Sequence, residues 1–375
     1  MAPAQRGESM RKPTRIGVAL GTTAILAVGS IGSVSAQDEL TPIDLQLQWF
    51  AQAQFGGFYA AKDLGFYEQM GLDVTINETP SDQAPQVLGS QPDGPEFTIA
   101  WVPRVLEVRE SEVQSDLTNI AQHFQRSGTL SVSWADDPVA TPADFAGRKV
   151  GMWDFGNDFE VVAAGRAAGL EPNEDYERII QNFDMNAFLN REIDVAEAMI
   201  YNEYAQVLET ENPETGELYQ PEDMVIIDYN EVGTAMLQDA IWAREAWLAE
   251  EGNEDIATRF LAASFMGWQH CRDNPDECSE IVANNGSILG TGHQAWMMNE
   301  INALIWPSPD GIGALPADTW DTTVQIMLDA GIIAEDPGEG VYRTDLADAA
   351  RAMLEGDVTG EGFEKAVVEP TPGGE

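Results

Sequence analysis

Residues 41 to 245 alternate between two hydrophobic periods. Leu45, Leu47 and Trp49 are separated by Gln46 and Gln48, the period-two pattern of a half-buried strand. Gly56-Gly57 opens a helical run that continues to Met70 and is punctuated at Gly65; Leu72, Val74 and Ile76 then return to period two. A strand, a helix and a strand in that order imply parallel pairing. Further strands are predicted at 97–101, across Leu130, Val132 and Trp134, and at 149–153, 199–201 and 224–227, while Thr141-Pro142-Ala143-Asp144 opens a helical turn. From Met236 the pattern is mostly helical, except for Asp239-Ala240-Ile241-Trp242, which reads as a strand crossing back. The tail, 366–375, ends rich in Pro and Gly and is expected to be disordered.

This order predicts an α/β protein of two lobes, the second inserted in the first: 42–135 plus 234–350, and 136–233. Two segments of chain would cross between them. Ligands in such architectures sit at the carboxyl ends of parallel strands, in the cleft between lobes.

Charge narrows the function classes. The 375 residues carry 64 acidic against 19 basic side chains, a formal net charge of −45, with four lysines and fifteen arginines. Such a surface repels nucleic acid and anionic lipid and favours solubility, including in a salty habitat. The N-terminus reverses the sign: Arg11, Lys12 and Arg15 precede an apolar run from Ile16 to Ile31, and Val34-Ser35-Ala36 offers a small-x-small cleavage site. The run, about 16 residues, is shorter than the ~20 a spanning helix needs. Residues 1–36 therefore read as a cleaved export signal, with Met1 and Met10 both open as the start. In an exported chain the two cysteines, Cys271 and Cys278, are expected to form a disulfide. With His270 they make too few ligands for zinc, and no metal or cofactor is expected.

Catalytic motifs are thin. There are three histidines, far apart, and no nucleophile elbow, phosphate loop or zinc-protease pattern. What recurs instead, at predicted strand ends, is aromatic rings beside carboxamides. Leu45 to Ala61 has no charged residue but holds four glutamines and five aromatics; Trp101, the loop from Trp153 to Glu160, and Tyr201-Asn202-Glu203-Tyr204 follow other strands. A flat heterocycle stacks between indole or phenol faces, and carboxamides read its edge without desolvating a charge. A site residue left unpaired by the wrong ligand costs about 1–3 kcal/mol, which gives discrimination. Trp49, Phe55, Tyr59, Trp101 and Tyr201 are the candidates for stacking. Gln52, Gln54, Asn157, Asn202 and Glu203 are the candidates for the edge, with Gly156 and Thr234 at the loop and the return crossing.

The opening stretch, with "GRKVGMWDFGNDFE" and "DVAEAMIYNEYAQVLE", resembles solute-binding proteins of ATP-driven importers, in the branch related to thiamine-pyrimidine precursor synthases. The resemblance covers roughly residues 43–335. It implies a two-lobed, hinge-closing type II periplasmic binding protein fold and an exported monomer that delivers riboflavin or an aminopyrimidine thiamine precursor to a membrane permease. That family also includes a synthase, which consumes an active-site histidine and carries a cysteine-rich motif. Here Phe55 stands where the histidine would lie and no cysteine precedes Cys271, which argues against synthase activity. A third reading, a receptor for sulfonate-type anions, would need Arg104 or Arg126 in the cleft.

Overall fold

The computed structural model describes residues 40–79, 83–154 and 156–375. The expected export signal, 1–36, lies outside the described residues. Among the described residues, ten strands form two five-stranded sheets. The first uses β1 (Thr41–Gln46), β2 (Leu72–Asn77), β3 (Phe97–Trp101), β4 (Leu117–Gln122) and β10 (Asp239–Arg244), in the order β2-β1-β3-β10-β4. The second uses β5 (Thr129–Trp134), β6 (Lys149–Met152), β7 (Glu177–Ile180), β8 (Val195–Met199) and β9 (Met224–Asp228), in the order β7-β6-β8-β5-β9. In each sheet four strands run in one direction, three of them as adjacent parallel neighbours. The fifth strand, β10 in one and β5 in the other, runs antiparallel to its neighbours. The chain is thus α/β, and the strand-helix-strand unit read at its start is a parallel pair, β1 with β2.

Two segments connect the sheets, between β4 and β5 and between β9 and β10, and they are tied to each other. Ser127 N donates to Asn230 Oδ1 (3.1 Å) and Asn230 Nδ2 to Ser127 O (2.9 Å). Gln238 accepts from Gly128 N (2.8 Å) and donates to Thr129 Oγ1 (2.7 Å). The buried carboxyl of Glu160 joins both segments, accepting from Met236 N (2.6 Å) and Ser127 Oγ (2.8 Å).

The sheet edges depart from the hydrophobic pattern at identifiable places. β1 ends at Gln46, so Trp49 stands beyond it in a loop held by Thr79, whose hydroxyl donates to Leu47 O (2.6 Å). β8 ends at Met199, so Tyr201 follows the strand rather than closing it. β4 gave no alternation because all six of its residues are buried, on both faces of the sheet. The helix Gly56–Asp63 lies against the long helix Asn253–Asp273 at very close range: a Cβ on Gly57 would enter the Trp268 indole, and one on Gly267 would strike Gly57 O.

Cys271 and Cys278 form a disulfide joining that long helix to the next, Pro275–Asn284. The tail corrects the expectation of disorder. Ala366 exchanges two hydrogen bonds with the Asn299 side chain (3.0 Å each), and Gly373 N donates to Glu209 O (2.8 Å). Gly373 and Gly374 both have positive φ, which lets the last turn fold against Gly290 and Gly292. Composition suggested disorder, but backbone partners and the absence of Cβ atoms decide for packing. Among the described residues, no helix is long and apolar enough to cross a membrane.

Candidate functional site

Parallel strands bring their carboxyl ends to one edge, and loops leaving β1, β3, β6, β7 and β8 converge there on a cavity of about 460 Å³. The wall nearer the first sheet presents Gln48, Trp49, Gln52, Gln54, Trp101 and Arg104. The wall nearer the second presents Trp153, Asn157, Phe183, Met199, Tyr201, Asn202 and Glu203. Eight of the twelve ligand candidates named from sequence border this space. Of the remaining four, Phe55 is fully buried and Tyr59 nearly so, both within the main core. Gly156 borders a separate small cavity, and the Thr234 hydroxyl faces Glu160 O at 3.5 Å.

The wall nearer the first sheet is an ordered amide relay resting on a buried acid. Gln52 Nε2 donates to Gln54 Oε1 (2.6 Å) and Gln54 Nε2 to Asp239 Oδ2 (2.9 Å). Gln48 Nε2 (2.6 Å) and Trp101 Nε1 (2.8 Å) both donate to Asp239 Oδ1. Burial pushes the Asp239 carboxyl up to about 7, opposed by these three neutral donors. The uncharged opening stretch is thus, in part, the hydrogen-bonding shell of one acid. Asp239 was legible only as the start of a strand; nothing local marked it as the anchor of glutamines 185 and more residues away.

The opposite wall has its own acids. Glu203 accepts from Met199 N (3.0 Å) and Asn202 Nδ2 (2.9 Å), and burial raises its carboxyl to about 7. Behind Trp153, Glu197 accepts Trp153 N (2.7 Å) and is pushed well above the ordinary carboxylate range by burial. Rings cross the opening: Phe183, which is 45% exposed, lies 5.0 Å from Trp49 and is stacked on Trp153 at 5.7 Å. Trp153 sat within a segment flagged from sequence without being nominated. Gln48 likewise sat in the flagged opening stretch without being nominated, and Phe183 carried no signal beyond residue type.

Of the two arginines considered for an anion, Arg126 is spent on the carbonyls of Ala303, Trp306 and Pro307. Arg104 does border the cavity, with Nη1 3.5 Å from Asn157 Oδ1 and a buried Nε that meets no partner among the described residues. Burial lowers its guanidinium pKa, countered by Glu107. Asp158 is engaged by Arg178 (2.7 Å) and Glu160 by the crossing segments, so neither carboxylate borders the cavity. His123 is fully buried among Phe58, Phe124 and Trp268 and is held down to about 3 by burial. Among the described residues, no group of three or more His, Cys, Asp or Glu side chains could hold a metal.

Known proteins share this architecture. The chain is 23% identical over 330 residues to a formylaminopyrimidine-binding protein of Halalkalibacterium halodurans, covering 84% of this chain and 94% of that one. It is 21% identical over 328 residues to the riboflavin-binding protein RibY of Chloroflexus aurantiacus, covering 84% and 88%. Among solved structures, the periplasmic aliphatic sulphonate-binding protein SsuA of Escherichia coli superposes with a TM-score of 0.56 at 14% identity, over 79% of this chain and 89% of that one. That likeness is one of fold. A family model described as NMT1/THI5 like matches residues 52–278, more than half the sequence, and the chain belongs to that family.

Proposed function

We propose that this chain is an exported solute-binding protein that captures a flat heterocycle, riboflavin or an aminopyrimidine precursor of thiamine, and delivers it to the permease of an ATP-driven importer. In this reading 42–135 plus 234–350 form one lobe and 136–233 the other. The lobes close by bending at the tied crossing segments, and the permease recognises the closed form. It works as a monomer. The observation that carries the reading is the cavity itself: indoles stand on both walls, Trp49 and Trp101 facing Trp153, and a carboxamide relay lines the edge between them. Rings supply stacking surface at low entropic cost, and the amides supply direction. Two relatives whose names are those of heterocycle-binding proteins support the ligand class, as they support a receptor over a synthase.

The test is a titration followed by tryptophan fluorescence, with riboflavin, a 4-aminopyrimidine and an alkanesulfonate as separate probes. The first or second is expected to quench with micromolar affinity or better, and natively purified protein is expected to release a yellow chromophore on denaturation if the ligand is a flavin. Arg104 favours a second reading, an anionic ligand. Saturable binding of the sulfonate alone, abolished in Arg104→Ala, would replace the heterocycle with that.

A further inference from the structure

A histidine outside the cavity contacts a residue of one of its walls. His293 lies in the first turn of the helix Thr291–Ile305 and is 2% exposed. Its Nδ1 is 2.9 Å from both carboxylate oxygens of buried Glu209, and its Nε2 is 3.0 Å from Asn202 Oδ1. The Asn202 amide is fixed from three sides. Its oxygen also accepts from Gln206 Nε2 (3.3 Å), and its nitrogen donates to Glu203 Oε1 (2.9 Å). Asn202 and Glu203 border the cavity; His293 and Glu209 do not.

Hydrogen-bond geometry shows how this relay is held. Both ring nitrogens of His293 are engaged, Nδ1 with the Glu209 carboxyl and Nε2 with the Asn202 side-chain amide, so the ring bridges the two. The charged groups facing the ring are Glu209 directly and Glu203 through Asn202. On its other side the tail packs Gly374 against His293 Cβ, and Glu375 lies against the neighbouring Gly292.

The geometry points to His293 as a positioning residue for the ligand cavity. With Glu209 it locks the Asn202 amide in one orientation, which in turn holds Glu203 as an acceptor for hydrogen-bond donors on the ligand. This rests on the reading of the cavity as a ligand site, and one arm of its test does not. ¹H–¹⁵N spectra of the ligand-free protein resolve its side-chain amides. His293→Gln is expected to shift the Asn202 side-chain amide signals. An unmoved Asn202 amide in the variant overturns the inference whether or not any probe binds. In the second arm, the riboflavin and 4-aminopyrimidine titrations are repeated on His293→Gln and on the near-isosteric Glu209→Gln. A charge-assisted hydrogen bond is removed in each, so whichever probe binds the parent protein is expected to bind His293→Gln about tenfold more weakly and Glu209→Gln several-fold more weakly, with unfolding midpoints close to the parent. Unchanged affinity in both variants overturns it. If no probe binds the parent, the proposed ligand class has failed, and the spectra decide the His293 assignment alone.

Discussion

At the scale of single residues, the cavity is built on acids kept out of water and satisfied by neutral donors. Asp239 is the clearest case, because three side chains from three places in the sequence donate to it. Replacing Trp101 by Phe keeps a ring in the wall but removes the donor 2.8 Å from Asp239 Oδ1. A buried acceptor deprived of one partner costs about 1–3 kcal/mol. Trp101→Phe is therefore expected to lower unfolding free energy by that amount in urea denaturation, and more at pH 8, where the carboxyl is ionised, than at pH 5. Equal losses at the two pH values would show that the indole matters for packing alone. The same logic explains what sequence could not supply. Residue type marked the glutamines and tryptophans as unusual, because a charge-free stretch in so acidic a chain is conspicuous. The acid they serve was one among 64, and only the antiparallel pairing of β10 with β3 brings it beneath Trp101.

Secondary elements were legible where one face is wet and one dry, and, where both faces are dry, only where apolar or β-branched residues cluster, as in β3 and β5. β2, buried at Leu72 and Val74 and exposed between them, announced itself by alternation. β4 did not, and the short edge strand β7 has no fully buried residue to set a period. Of the aromatic candidates, Phe55 failed for a related reason: period and residue type cannot say whether a ring at a strand-to-helix turn faces the cleft or the helix behind it. Here the core claims Phe55, and the helix that follows it docks on Asn253–Asp273 through the Gly57–Trp268 contact. That contact is testable. Gly57→Ala places a methyl inside the Trp268 ring system, so the indole or the helices must shift. Overpacking of this kind costs about 1–3 kcal/mol, against a small gain from better helix propensity. A clear drop in thermal midpoint is expected, and a midpoint equal to or above the parent's would mean that the two helices are less rigidly docked than the geometry requires.

Over the whole molecule two kinds of negative charge act on stability. The net negative charge, −45 over the whole sequence, lies mostly on the surface, where it repels itself and is screened by salt, so the unfolding midpoint should rise as sodium chloride is added. The buried carboxyls of Asp239, Glu203 and Glu160, each raised to about 7 by burial, are not reached by salt in this way. Their sign follows from linkage. Between about pH 4 and 7 the folded protein holds protons that the unfolded chain has already lost. The stability these groups contribute is therefore complete at the low end and declines as pH climbs through about 7. In about 1 M salt, where the Debye length is only ~3 Å, the surface contribution is largely suppressed and the remaining slope belongs to the buried set. Glu160 can be isolated within it by Glu160→Gln, which removes the charge and keeps the acceptor that faces Met236 N. At high salt it is expected to flatten the decline between pH 5 and 8 and to be more stable than the parent at pH 8 by up to about 3 kcal/mol, the shift from 4.5 to about 7 converted at 1.36 kcal/mol per unit. Because Glu160 joins both crossing segments, the variant also reports on closure. Loosened crossings would appear as weaker ligand binding at every pH, whereas a purely electrostatic effect would leave binding at pH 5 unchanged.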